Sequence, residues 1–328
     1  MQWACPGMAS ENNISSAFQM SGHLLLAGEL VARNYTLASN GKPILIPYTP
    51  SYALTAIAFV AYGLIALIFS WNMWKHGGKY MLAMVIGCYI YAVGIAMRFP
   101  LHNNRTSLIL YIIESLFVTL APCGFIATEY MILGRLAAWL RCTRHLLIPA
   151  NRVTFVFVMS DVISFGIQGG GAGLLVNPSI ASIGTTILLI GMIIQLISFC
   201  IFVAVLFRFM YKVHQEEQSA WMRDGAKSAW NDWRFLAYAV CISSVGVLIR
   251  NFYRVVEMSQ GSNGHLQSTE GYFYGLDTLP LFCALSVYVL FWPGRFIPDG
   301  INLKEVHKAS EEERLGMHSA VALKDFED

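Results

Sequence analysis

Seven stretches of mostly apolar residues run through this chain, at roughly 51–73, 80–99, 107–134, 152–175, 182–210, 234–256 and 271–292. A bilayer's hydrocarbon core is about 30 Å thick, and an α-helix crosses it in about 20 residues. That core holds no water to satisfy backbone N–H and C=O groups, so each stretch must be a helix whose hydrogen bonds close internally. Composition agrees. Only 13% of the 328 residues are charged, against about 25% in soluble domains. The pattern predicts an all-α, polytopic membrane protein with seven transmembrane helices. It divides into an extracellular N-terminal segment over 1–50, a membrane domain over 51–297 and a cytoplasmic tail over 298–328. The tail sequence "KEVHKASEEERLGMHSAVALKDFED" is charged and has no clear apolar face, so it is expected to be disordered. The start "MQWACPGMASENN" lacks the basic-then-apolar pattern of a cleavable signal, and "HLLLAGELVA" (His23 to Ala32) is too short to span.

Lysine and arginine in short loops set orientation. The first loop holds Lys75 and Lys79. The third holds Arg135, Arg141, Arg144 and Arg152. The fifth holds Lys212, Arg223 and Lys227, flanked by Arg208 and Arg234, and Arg295, Lys304 and Lys308 follow the seventh span. The second loop holds only Arg98 and Arg105, and the fourth, "VNPSIAS", holds none. The N-terminus is therefore expected outside and the C-terminus in the cytoplasm. Asn13-Ile14-Ser15 and Asn34-Tyr35-Thr36 are glycosylation sequons in the predicted outer segment. Trp221, Trp230 and Trp233 are expected as an interfacial aromatic belt, or as part of an amphipathic helix at the inner surface.

Several function classes are poorly served. A net charge of +2 without a basic stripe gives nucleic acid no footprint. Most of the seven cysteines lie singly inside apolar runs, which suits neither a disulfide framework nor a metal centre. All eight histidines fall outside the apolar windows, which disfavours an intramembrane zinc hydrolase. No phosphate-binding loop or serine nucleophile elbow is present, so no cofactor and no catalytic residue is expected.

A charge near mid-bilayer costs roughly 2.5–3.5 kcal/mol on insertion scales, so those that occur need a reason. They fall into two layers. The outer one holds Glu114 of the third span, Arg250 and Arg254 of the sixth and Asp277 of the seventh. Two acids and two bases at one depth neutralise one another if their helices are neighbours. Arg250, Arg254 and Glu257 stand at i, i+4 and i+7, on one helix face, with Glu257 and Glu270 at the rim. The midplane and inner layer holds Asp161 and Gln168 of the fourth span, seven apart and sharing a face with Ser164, together with Gln195 of the fifth and Glu129 of the third. Glu129 is expected to be structural, pairing with Arg135 or capping an interface. Such groups serve either as glue between helices, at about 1 kcal/mol each, or as the lining of a polar cleft for a headgroup or a proton. The small residues Gly166, Gly170 and Ala172 or Gly173 predict close helix packing, or else a groove wall. Pro122 and Pro280 predict kinks.

The stretches "ESLFVTLAPCGFIATEYMILGR" (Glu114 to Arg135), "DVISFGIQGGGAG" (Asp161 to Gly173), "GMIIQ" (Gly191 to Gln195), "RNFYRVVE" (Arg250 to Glu257) and "EGYFYGLDTLP" (Glu270 to Pro280) together resemble the fungal RTA-like family. These are seven-helix lipid-translocating exporters named for resistance to aminocholesterol. The resemblance covers roughly 48–297. One departure is the turn after the last helix, His-Pro-Gly in the family but Trp292-Pro293-Gly294 here, which removes a titrating group.

The resemblance implies a non-enzymatic protein of the plasma membrane, or of an endomembrane. It also implies efflux or flip of sphingoid long-chain bases and resistance to membrane-active toxins. The expected partner is a membrane lipid or other amphiphile. Glu114 and Asp277 are then candidate counter-ions for an ammonium headgroup, Arg250 and Arg254 hold their geometry, and Asp161, Gln168 and Gln195 offer a midplane relay. The alternative is a seven-helix receptor or lipid sensor signalling through its cytoplasmic loops. Against it, "TEYMILGR" lacks the Asp-Arg-Tyr signature and the last helix lacks Asn-Pro-x-x-Tyr. A lipid-modifying enzyme ranks third.

Overall fold

The computed structural model describes residues 49–104, 107–147, 149–175, 180–222, 232–260, 264–298 and 300. The sequons at Asn13 and Asn34, Trp230 and the C-terminal tail beyond residue 300 lie outside these residues. Seven helices are long and apolar enough to span a membrane: α1 Tyr52–His76, α2 Lys79–Asn103, α3 Ile109–Trp139, α4 Arg152–Leu174, α5 Ala181–Glu216, α6 Trp233–Ser259 and α7 Glu270–Arg295. No strand occurs among the described residues. Each expected span is present, and α5 overshoots its window by more than a turn.

Successive helices pack as antiparallel neighbours, and α7 closes back on α1. Apolar side chains cover both faces of each helix, as they must where the outside is lipid rather than water. Tyr62, Phe69, Tyr91, Phe125, Phe199 and Tyr288 fill the interior, while Ile57, Leu64, Leu67, Phe155 and Ile163 point outward and are more than half exposed.

Glycines permit the closest helix approaches, though not where the sequence pattern put them. A Cβ on Gly166, Gly170 or Gly173 would meet nothing within 4 Å, whereas one on Gly171 would lie 2.8 Å from the Gly184 carbonyl oxygen of α5. Further along, a Cβ on Gly191 would lie 2.7 Å from Gln168 Cγ. The α4–α5 seam therefore runs through Gly171, Gly184 and Gly191, and the expected glycine face of α4 is open.

Two breaks in regularity shape the ends of α7. Residues Phe273–Thr278 form a π-helical turn just ahead of Pro280. Proline has no N–H to bond the preceding turn, and its ring crowds the carbonyl four residues back; the widened turn relieves both. Pro122, by contrast, sits inside a continuous α-helix. At the end of α7, Trp292 is fully buried and donates from Nε1 to the Gly77 carbonyl oxygen at 3.1 Å. Gly78 holds φ +92°, and its Cβ would sit 3.3 Å from Gly294, so the two turns touch only because both are glycine. At the same end, His145 Nδ1 lies 3.2 Å from Glu216 Oε2 and Arg144 pairs with Glu217. Trp233 is fully buried and meets Trp221 edge-on at 5.6 Å. It packs within the bundle, so Trp233 is corrected from interfacial belt to core.

Candidate functional site

The polar side chains of the interior stack in three tiers between the helices. Lys75, Lys79, Arg141, Arg144 and Arg295 mark one end of the bundle, the basic end. By helical rise, Glu129, Asp161 and Ser243 all lie ~14–15 Å from that end, Gln168 ~24 Å and Arg250 ~26 Å.

The tier farthest from the basic end is a balanced charge network. Asp277 is fully buried within the π-helical turn of α7. Its Oδ1 lies 3.2 Å from Arg250 Nε and 3.8 Å from Arg254 Nε, and its Oδ2 accepts from the Tyr91 hydroxyl at 2.9 Å. Arg250 also donates from Nη2 to the Val118 carbonyl oxygen at 2.7 Å, tying α6 to α3. Arg254 bonds Glu257 Oε2 at 2.6 Å, and Tyr253 donates to that residue's other oxygen. The shared face expected for Arg250, Arg254 and Glu257 thus becomes a ladder that neutralises Asp277.

Glu114 departs from expectation. Its partner is neither arginine of α6 but Arg98 of α2, with Nε to Oε1 at 2.9 Å and both side chains buried. The Arg98 guanidinium also lies 3.6 Å from the centre of the Phe273 ring, a cation–π contact that binds α2 to α7. Arg98 reads as a loop residue in the sequence because the second apolar window ends just beside it. The helix in fact continues to Asn103 and turns Arg98 inward. Three arginines therefore face three acids here, Glu114, Glu257 and Asp277. Glu270 stands apart, accepting from the Ser51 backbone N–H at 2.7 Å.

The middle tier joins three helices without charge. Gln168 of α4 donates to Gln195 of α5 at 2.9 Å, and Gln195 contacts Cys123 Sγ of α3 at 3.5 Å. Gln168 Oε1 is buried with no hydrogen-bond partner. Ser164 spends its hydroxyl on the Ser160 carbonyl oxygen of its own helix, so it adds nothing to this face.

The tier nearest the basic end carries acids without arginine. Asp161 is 3% exposed, and neither carboxyl oxygen has a hydrogen-bond partner. The Tyr130 hydroxyl of α3 faces it without closing a bond of ordinary length. Glu129, adjacent to Tyr130, is fully buried and accepts from Ser243 at 2.5 Å and Ser244 at 2.8 Å. The expected Glu129–Arg135 pair does not form. Arg135 lies 4.5 Å from the Tyr80 ring, and Glu129 ties α3 to α6 instead.

The structure thus brings Arg250, Arg254, Glu257 and Asp277 together, joins Gln168 to Gln195, and leaves Asp161 beneath them. Sequence reasoning overlooked Arg98, Tyr91, Cys123, Tyr130, Ser243 and Ser244. The adjacent serines in an apolar run were the one available signal for a polar contact on α6. The tyrosines and the cysteine read as ordinary core.

A family model described as RTA1 like protein matches residues 84–300. The chain is 30% identical to Protein RTA1 of Saccharomyces cerevisiae over 229 residues, 70% of this chain and 68% of that protein. It is 33% identical to Protoporphyrin uptake protein 1 of Saccharomyces cerevisiae over 210 residues, 64% of this chain and 66% of the relative. It is 21% identical to Sphingoid long-chain base transporter RSB1 of Saccharomyces cerevisiae over 291 residues, 78% of this chain and 75% of the relative. No solved structure matches.

Proposed function

The chain belongs to the RTA1-like family, and from that premise we propose that it carries amphiphiles with a cationic headgroup, such as sphingoid long-chain bases, across the membrane. Relatives bear the names of a sphingoid base transporter and a porphyrin uptake protein, which supports membrane transport at family level and a role without covalent chemistry. The proposed setting is the plasma membrane, with the N-terminus outside.

The observation that carries the headgroup assignment is Asp161. A carboxylate in an apolar interior without a hydrogen bond or counter-cation is costly, and Asp161 has neither among the described residues. An ammonium group would supply both, since it donates three hydrogen bonds. Gln168 Oε1, also unpartnered, is an acceptor about two turns farther along α4. Glu114 and Asp277, the counter-ions expected from the sequence, are already matched by Arg98, Arg250 and Arg254. Their proposed role is to hold α2, α3, α6 and α7 in register around the path.

The test is export of a labelled long-chain base from cells expressing Asp161→Asn at normal surface level. Export is expected to fall at least tenfold. Export equal to wild type removes Asp161 from the path. A second reading follows from the 33% identical porphyrin uptake relative: an anionic amphiphile would seek Arg254, after displacing Glu257. Porphyrin fluorescence accumulating in the same cells, lost in Arg254→Gln but kept in Asp161→Asn, would favour it.

A further inference from the structure

Transport against a gradient needs an energy source, and the interior offers a site for one away from Asp161. Glu129 differs from the other buried acids in what surrounds it. Glu114, Glu257 and Asp277 each sit against an arginine, which stays charged and holds the pair in one state. Glu129 has only neutral neighbours. Ser243 and Ser244 of α6 bond its two oxygens. Cys241 of α6 and the Tyr288 hydroxyl of α7 stand next to them, and Tyr130 of α3 lies on the side toward Asp161. Among the described residues no cation lies at ion-pair distance from Glu129.

That surrounding suits two protonation states. A serine hydroxyl can donate or accept by rotating about one bond. An ionised Glu129 accepts from both serines, as seen. A protonated Glu129 donates to one serine and accepts from the other, so no buried group loses its partner in either state. A static structural link has no need of that freedom. Intramembrane carboxyls that face the bundle interior are a recurring place for proton relays. The tyrosine between Glu129 and Asp161 is within electrostatic reach of both, and its buried hydroxyl has no hydrogen-bond partner. It faces Asp161 while standing in the field of Glu129, so the charge on one carboxyl reaches the other through it.

We propose that Glu129, with Ser243 and Ser244, is a proton-binding site that couples transport to the pH gradient, with Tyr130 linking its state to Asp161. Proton and headgroup then move in opposite directions: an ionised Glu129 adds negative charge that strengthens the hold of Asp161 on the ammonium, and a proton arriving on Glu129 weakens that hold and frees the headgroup. The proton itself comes from and returns to bulk water on the two sides. The proposal rests on the transport reading for its purpose, while the proton site stands on its own geometry.

Two measurements test it on purified full-length protein. The first is infrared difference spectroscopy across a pH titration. Wild type is expected to show a carboxylic C=O band that appears and disappears with pH, and Glu129→Gln is expected to lack it. A spectrum unchanged by Glu129→Gln overturns the site whether or not any transport is seen. The second is uptake of a fluorescent long-chain base into phosphatidylcholine vesicles. Wild-type uptake is expected to change at least fivefold when the imposed pH gradient is reversed. In Glu129→Gln the two directions should agree within twofold, with exchange in the absence of a gradient retained. A Glu129→Gln rate that still follows the pH gradient, or a wild-type rate that follows a sodium gradient instead, overturns the coupling. No uptake above protein-free vesicles, with the infrared band present, sinks the transport reading alone. Where Glu129→Gln fails to fold, Ser243→Ala with Ser244→Ala replaces it and must move the titration of the band; an unmoved titration counts against the proposal.

Discussion

An arginine facing the inside of an apolar bundle has to be answered, and the answer to Arg98 shows how little spacing alone reveals. Depth along the spans suggests that Glu114 serves Arg250 or Arg254, yet it serves Arg98, sixteen residues back on the neighbouring helix. Both side chains are buried, so water does little to screen the pair and the loss of one partner is severe. Arg98→Met is expected to destabilise the fold by about 3–5 kcal/mol, because it strands a buried carboxylate. The double variant Arg98→Met with Glu114→Leu should recover more than half of that loss, since replacing a whole buried pair with apolar groups is often near neutral. Thermal unfolding in detergent, read by the fraction remaining monodisperse, ranks the three proteins. A double variant no more stable than the single one would mean that Arg98 matters through contacts other than its pairing with Glu114, the cation–π contact with Phe273 among them.

At the scale of the helix, the sequence located every span but misjudged which small residues make contact. A run such as "GIQGGGAG" offers several candidate faces, and periodicity cannot choose among them. The choice is made by α5, whose Gly184 and Gly191 present bare backbone at one angle only. Gly171 faces that seam and Gly170 does not, which gives a matched pair of substitutions one residue apart. Gly171→Ala forces its Cβ against the α5 backbone and is expected to cost about 1–3 kcal/mol. Gly170→Ala meets open space and should be neutral or stabilising by up to about 1 kcal/mol, the helix-propensity difference between the two residues. Melting curves of the two variants side by side decide the matter, and equal losses would contradict the seam. The π-helical turn before Pro280 was beyond reach for a related reason. A proline within an apolar run announces a defect, while the packing of α6 and α1 against α7 determines which defect forms. The Tyr62 hydroxyl, bonding the Thr278 carbonyl oxygen at 2.7 Å, is one such determinant, and nothing in the sequence marks it.

For the molecule as a whole, what the sequence makes legible follows from what lipid demands. Span number and order are dictated by the need to bury backbone groups, so they appear as composition. The site depends on which helix faces touch, and that information lies in distant residues. Asp161, Gln168 and Gln195 stand out as polar exceptions within apolar runs, and the adjacent Ser243 and Ser244 hint at a polar contact without naming its partner, whereas Tyr130 becomes notable only once α3 and α4 are assembled. Orientation sits between these cases, because it is written in charge rather than in contact. Lys75, Lys79, Arg141, Arg144 and Arg295 gather at one end of the bundle, while Arg98 near the other end is withdrawn into the interior. Counting Arg98 as interior removes a positive charge from the second loop, so the asymmetry is larger than the raw sequence suggests. By the positive-inside rule the basic end is expected in the cytoplasm, which would put Glu129 and Asp161 in the inner half of the membrane and the arginine network in the outer half. With Cys5 changed to serine, Asn103→Cys is expected to react with a membrane-impermeant maleimide on intact cells. Lys75→Cys should react only after permeabilisation, and endoglycosidase should shift the protein through Asn13 or Asn34. The opposite labelling pattern would invert the bundle. The acids without arginine would then lie toward the outer leaflet, and a proton entering Glu129 by the shorter route would come from outside the cell.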